Sequence, residues 1–233
     1  MMFNQAKTVV RRGINGVKLG RAFLRLVQDP ERLDEVFDMA DVLGRDPAVI
    51  DPIRNAFATT EHGARGLVEM PRMRADIPHL ETLPEGTLGQ EFAAFVRREG
   101  IDPSAMFRDR DVTDGDAWVL GHLLETHDVW HVVTGFGTDV AGELGLQAFY
   151  LSQFPARLAS LLLASGLLNT FLLSFEERNQ RMTEIAKGWS RGKAATPIIG
   201  VDWTQLWATP LAEVRERFGI VPADVPQLTA VAA

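Results

Sequence analysis

The stretch His127-Asp128-Val129-Trp130-His131, followed after eleven residues by Glu143, decides how this chain must fold. Histidines four apart stack on one face of a helix, so a helix here brings two imidazoles together. That spacing offers a metal two nitrogen ligands from one rigid element. Asp128 is rotated by ~100° from His127 on a 3.6-residue helix, close enough for its carboxylate to swing in. One unbroken helix would carry Glu143 ~18 Å from His131, too far to share an ion. Thr134-Gly135-Phe136-Gly137-Thr138 provides a way back: two glycines for a tight turn and Thr138 to cap a second helix. Glu143 then lies one turn into that helix, returning alongside the first. His127, Asp128, His131 and Glu143 are the candidate ligands of a divalent metal.

A histidine on a helix is more often an ordinary surface or core residue than a ligand. Here three of the five histidines, His122, His127 and His131, fall within ten residues, and a glycine turn precedes Glu143. The clustering favours a site.

The pattern His-Asp-x-x-His, eleven residues, Glu resembles the signature of the Coq-four family of ubiquinone (coenzyme Q) biosynthesis. Leu83-Pro84-Glu85-Gly86-Thr87-Leu88-Gly89, with Phe92-Ala93-Ala94-Phe95, is similar to that family's segment before a helix. Trp207, Pro210-Leu211, Val214-Arg215 and Phe218-Gly219-Ile220 resemble its closing helix. The likeness covers roughly residues 18–222.

The resemblance implies membrane-associated work on a polyprenylated aromatic ring. The implied reaction removes the ring carboxylate of a polyprenyl-hydroxybenzoate, with hydroxylation at the same carbon, assisted by a divalent metal. Two imidazoles and carboxylates suit zinc first, with manganese, magnesium or iron as further candidates. His127 and Asp128 are the candidate catalytic residues, Asp128 as proton acceptor beside a Lewis-acid metal. An oxidative course needs a redox-active metal, or oxygen reacting with the electron-rich ring itself. The alternative is a non-catalytic scaffold that binds prenyl lipids and organises other ubiquinone-biosynthesis proteins around a structural metal. A metal phosphohydrolase using a His-Asp pair is a weaker reading, because no further upstream histidine and downstream aspartate complete such a site. The family places basic residues before the first motif histidine, whereas His122-Leu123-Leu124 stand here. Arg157 and Arg178 remain open to contact a substrate carboxylate.

Composition sets the outer bounds. The 233 residues suit one large domain, and 46% hydrophobic content is ordinary for a chain with a substantial core. Without cysteine, disulfides, thiolate-held zinc and cysteine nucleophiles are excluded. The net charge of -7 hides an asymmetry: up to Gln28 there are six basic residues and no acidic one, and the remainder carries 18 basic against 31 acidic. The acidic body argues against nucleic acid as a partner. The basic amphipathic start argues for an anionic membrane surface. It also resembles a mitochondrial presequence, although the family likeness begins near Lys18 and leaves little room for a removable segment. The expected setting is the bacterial cytoplasm, peripheral at the inner membrane, or the matrix side of the mitochondrial inner membrane in a eukaryote.

Periodicity gives helices almost throughout. Val9, Val10, Ile14, Val17, Leu19, Phe23, Leu24 and Val27 mark a helix over residues 6–27, weakened by Gly13, Gly16 and Gly20. Asp29-Pro30-Glu31 is expected to cap the next, ending at Gly44, and Asp46-Pro47 or Asp51-Pro52 to start another. Residues 68–84, with three prolines and no period, are expected to be mostly loop. Thr87 should cap a helix from Leu88 to Glu99 stopped by Gly100. The motif helix is expected from about Asp116 to Val133, with Glu125 facing solvent. Eighteen uncharged residues, Leu158 to Phe175, reach the lower edge of a membrane span, but polar interruptions point instead to the wall of an apolar groove or a core helix. A helix over 176–189 and a last one over 210–218, capped by Thr209 and strengthened by a Glu213–Arg217 pair, complete the chain. The expectation is an all-α fold: a basic N-terminal helix over 1–28, a helical domain over 29–222 and a tail over 223–233. An apolar helical surface of this kind also suggests a homodimer.

Overall fold

The computed structural model describes the backbone of residues 2–102 and 114–224, with side chains from residue 15 onward. Twelve α-helices are found among them, and the only β pairing is one isolated bridge between Thr87 and Pro210. The protein is all-α.

Helix α1 (Met2–Gln28), α2 (Leu33–Leu43) and α3 (Pro47–Phe57) open the chain. Asp46 caps α3 by accepting from the Ala48 N–H, with Pro47 at the first position. Asp29-Pro30 does not cap α2. The Asp29 carboxylate accepts from Glu31 N–H within a turn, and α2 begins at Leu33 without a side-chain cap. After α4 (Glu61–Glu69) comes the expected loop, holding only the short α5 (Ile77–Leu80).

Helix α6 (Leu88–Glu99) ends at Gly100 in the left-handed region, φ 66°. Its start differs from the expectation, because Thr87 donates its hydroxyl to Pro84 and caps nothing. The orphan N–H groups of Leu88 and Gly89 instead donate to the carbonyls of Thr209 and Trp207, and Leu211 N–H returns a bond to Gly86. The start of α6 is thus laced to the start of α12 (Leu211–Phe218), which explains why Thr209 supplies no cap there. Glu213 and Arg217 form no ion pair among the described residues; the Arg217 guanidinium lies over the Phe218 ring.

The expected single helix over 116–133 is two: α7 (Gly115–Glu125) and α8 (His127–Thr134). Thr126, at φ −94° and ψ −3°, breaks them, and both its N–H and its hydroxyl donate to the His122 carbonyl. The break lets α8 run through the centre of the molecule, where every residue from Asp128 to Thr134 is buried. Glu125, expected in solvent, is buried. Its carboxylate accepts from Arg72 Nε at 2.7 Å and from Met73 N–H at 3.2 Å, pinning the 70–76 loop to the end of α7.

Helix α9 (Val140–Gln153) packs along α11 (Arg178–Ala194) with almost no side chain between them. A Cβ on Gly188 would stand 1.9 Å from the Gly145 carbonyl oxygen, and one on Gly192 would stand 1.9 Å from Ser152 Oγ. The small residues of α9 therefore serve backbone-to-backbone packing, which fixes α9 beside α8.

Helix α10 (Arg157–Leu172) divides its length. Leu158, Leu161 and Leu162 join a small cluster with Ala22, Leu26 and Met39, separate from the main core. Asn169 is buried, donating to Val27 O at 2.9 Å and accepting from Arg181 at 2.6 Å, so it ties α1, α10 and α11 together. Beyond it Phe171 is 69% and Phe175 54% exposed. These rings, with Leu167 and Met182, line a shallow recess of about 360 Å³. No single helix among the described residues is long and apolar enough to cross a membrane; α10 and Phe175–Ala194 meet that length only as a pair bent by 114°.

Candidate metal centre

Three elements build the site. Helix α8 presents His127 and His131 one turn apart. Gly135, at φ 75°, ends the helix, its N–H donating to His131 O at 2.8 Å. The chain then turns back, and Asp139, rather than the expected Thr138, caps α9 by accepting from Gly142 N–H at 2.8 Å. Thr138 donates to Glu99 instead. Gly142 is obligatory at this reversal, since a Cβ would fall 2.2 Å from the Gly137 carbonyl oxygen. Glu143 follows in the first turn of α9, facing the two histidines.

His131 Nε2 stands 3.2 Å from His127 Nε2 and 3.1 Å from Glu143 Oε1, and His127 Nε2 is 3.7 Å from Glu143 Oε2. One ligand atom from each residue lies within 4.8 Å of the others, a group able to hold a metal ion. His131 Nδ1 sits 3.1 Å from the Phe136 carbonyl oxygen. A carbonyl only accepts, so Nδ1 carries a hydrogen and the Nε2 lone pair of the neutral ring faces the cluster. The donor set therefore fits a divalent cation: two imidazole nitrogens and one carboxylate, converging with at least one ring already oriented.

Of the four expected ligands, the structure brings together His127, His131 and Glu143. Asp128 is not in that converging group. It is buried, and no described group donates to its carboxylate, yet its charge bears on His127 and on Tyr150. His122 stands apart too, enclosed by Trp118 at 4.8 Å and Phe57 at 5.8 Å between ring centroids. Arg157 is exposed, and Arg178 is exposed and engaged with Phe175, donating to its carbonyl and covering its ring.

Electrostatics follow from burial opposed by pairing. Burial alone would lower the pKa of His127, but the hydrogen bond and charge of Glu143, with the charge of Asp128, outweigh it and raise the value. Burial pushes the Glu143 carboxyl up, and the two histidines overcome this and hold it well below the usual carboxylate range. Burial drives His122 down to about 3, leaving it neutral.

Tyr150 is the neighbour that sequence reading passed over. Its hydroxyl lies 3.4 Å from His127 Nδ1, and its ring stacks on Trp130 with centroids 4.2 Å apart. Seven residues separate it from Glu143, two turns along the same face of α9, and that spacing was the available signal. Burial, then the charges of Glu143 and Asp128, raise the Tyr150 hydroxyl well above its ordinary pKa.

Comparison with known proteins points one way. The family model described as "Coenzyme Q (ubiquinone) biosynthesis protein Coq4" matches residues 15–224. The mitochondrial ubiquinone biosynthesis protein COQ4 of Pyricularia oryzae is 29% identical over 214 residues, 89% of this chain and 68% of its own length. The corresponding Arthroderma otae protein is 30% identical, over 86% of this chain and 75% of its own. Among solved structures, a putative ubiquinone biosynthesis protein from Nostoc punctiforme superposes with a TM-score of 0.75 at 30% identity, over 88% of this chain and 98% of that one. With that match spanning residues 15–224, the chain belongs to the Coq4 family of ubiquinone biosynthesis proteins.

Proposed function

We propose that the protein is a metal-dependent decarboxylase acting on the ring of a polyprenylated hydroxybenzoate during ubiquinone biosynthesis. The observation that carries this reading is the convergence of His127, His131 and Glu143 on one point. Three protein donors would leave a bound metal open positions for water or substrate, as in catalytic rather than structural sites. The donor set is one used by catalytic zinc and by non-haem iron alike. Glu143 is 38% and His127 20% exposed, so the centre is reachable from solvent.

The bound metal supplies Lewis acidity toward a ring carboxylate or phenolate. His127 and His131 would hold it, and Glu143 would offset part of its charge. Asp128, buried one residue from His127, is assigned as the proton acceptor. Loss of carbon dioxide would leave an electron pair on the ring carbon, which takes up a proton. In the oxidative form that pair would bond to one oxygen atom of dioxygen, while the other leaves as water with two electrons and two protons from a separate two-electron donor.

The prenyl chain is assigned to the apolar recess at the α10–α11 bend and its exposed Phe171, Leu172 and Phe175. We assign a peripheral position on an anionic membrane, either in the mitochondrion, the compartment in the relatives' names, or at a bacterial inner membrane, with other ubiquinone-biosynthesis proteins as partners. The same exposed apolar bend favours the second reading, a dimeric prenyl-lipid scaffold without turnover of its own.

The test is decarboxylation of a short-chain prenyl-hydroxybenzoate by metal-loaded protein, followed by carbon dioxide release and product mass, with and without dioxygen. Turnover that disappears in His131→Ala supports the enzyme. Tight prenyl-lipid binding with stoichiometric metal and no turnover under either atmosphere establishes the scaffold.

A further inference from the structure

The two histidines of the centre are held by different means. His131 is oriented by a backbone carbonyl, Phe136 O, which no substitution at that residue removes. No such carbonyl stands at His127 among the described residues. The group at its outer nitrogen is the Tyr150 hydroxyl, 3.4 Å from Nδ1.

Tyr150 is itself firmly placed. Its ring lies parallel to Trp130, at 9° and 4.2 Å, and meets Phe154 edge-on at 5.7 Å. Trp130 comes from α8 between the two histidines, and Tyr150 comes from α9 two turns after Glu143. The stack therefore locks together the two helices that supply all three donors. A hydroxyl carried on a ring this constrained defines a direction for the imidazole beside it, whose plane is tilted by 26° from that of the tyrosine. A phenol oxygen can accept a hydrogen bond from Nδ1–H. When it does, Nε2 is left with its lone pair toward Glu143 and His131. Such outer partners fix the tautomer and ring orientation of a ligating histidine and affect metal affinity by about 10–100-fold.

We infer that Tyr150 is a positioning residue for the metal centre, its hydroxyl fixing the ring orientation and Nδ1–H tautomer of His127. This rests on the metal reading of the His127, His131 and Glu143 triad. Tyr150 is not one of the three converging donors. It completes on the His127 side what Phe136 O does on the His131 side.

The experiment uses the full chain, stripped of metal and titrated with zinc and separately with cobalt, in the parent and in Tyr150→Phe. Phenylalanine keeps the stack on Trp130 and removes only the hydroxyl; the melting temperature of each metal-free protein checks that the fold is kept. The expected result is unchanged stoichiometry, affinity weakened by about 10-fold or more, and an altered cobalt absorption spectrum. In the zinc-loaded protein, the imidazole N–H proton resonance of His127 should be lost or broadened in the variant while that of His131 persists. An affinity within twofold of the parent, with the same cobalt spectrum and both resonances intact, overturns the role of Tyr150 alone. A parent that binds neither metal overturns the triad as a metal centre, and the role of Tyr150 with it. Should the variant not fold, Tyr150→Trp, which also lacks the hydroxyl and preserves an aromatic surface, is read in the same way.

Discussion

The Nε2 atoms of His127 and His131 stand 3.2 Å apart, and the Phe136 carbonyl already holds the hydrogen on the other nitrogen of His131. Glu143 brings a carboxylate oxygen to 3.1 Å from the same Nε2. Lone pairs and a carboxylate this close need a cation among them, either a proton or a metal ion.

Proton and metal therefore compete, and the competition has a definite sign. His127 has a pKa raised above 6.5, so its contribution to the metal-free fold is complete below pH 6.5 and is lost as pH rises through the raised value. Glu143 is lowered from 4.5, so its contribution is present above pH 4.5 and is lost as pH falls. The pair supports the metal-free protein best between those two values. Metal binding displaces the proton, so affinity should rise with pH by up to about tenfold per unit until His127 is neutral. Calorimetric titration with zinc across this range checks it; affinity independent of pH contradicts it.

His122 should dominate acid sensitivity between about pH 6.5 and 4.5, above the range in which Glu143 loses its contribution. It is enclosed by Trp118 and Phe57, with Nδ1 unpartnered, and burial holds its pKa at about 3. The unfolded chain binds a proton at this residue below about 6.5 and the folded chain does not. Stability should thus fall by about 1.4 kcal/mol per pH unit as pH drops from about 6.5 toward 3. His122→Leu should remove that slope in urea melts above about pH 4.5 while leaving stability at neutral pH close to the parent's. An unchanged acid limb contradicts the assignment.

Glycines should divide by what surrounds them. Gly188→Ala forces a methyl to within 1.9 Å of Gly145 O and should destabilise by about 1–3 kcal/mol or more, loosening α9 and with it Glu143. A methyl added at Gly20 in α1 would meet nothing within 4 Å, so Gly20→Ala should stabilise by about 0.5–1 kcal/mol through helix propensity alone. Thermal melts of both variants decide, and effects of the same sign contradict the packing description.

Arg72→Met leaves the Glu125 carboxylate buried with the Met73 N–H as its one remaining donor among the described residues. The expected cost is about 3–5 kcal/mol. Adding Glu125→Gln should recover a large part of it, because the remaining group is then uncharged. Equal stability of single and double variants in denaturant titration counts against the buried pair as the cause.

Much of the site was legible because its logic is local. Two histidines at i and i+4, a pair of glycines and a glutamate one turn into the next helix imply a fold-back at the residues where it occurs. Asp128 was harder to place, since a rotation of ~100° leaves its contacts to the surrounding helices rather than to spacing. The break at Thr126 was not legible either. Thr126 is an ordinary helix residue in sequence, and only the demand that α8 enter the core separates it from α7. The caps at Thr87 and Thr209 failed for a related reason: residues more than a hundred positions away provide the bonds that a local side chain would otherwise make. Glu125 illustrates the same limit, its partner lying 53 residues away in an irregular loop.

The most direct test of the centre is metal stoichiometry of the purified protein beside Glu143→Ala. One divalent ion per chain in the parent, lost or reduced far below that in the variant with the fold intact by circular dichroism, is the expected result. A parent that stays metal-free after loading with zinc, iron or manganese contradicts it, and the three residues are then a proton-sharing His–His–Glu cluster.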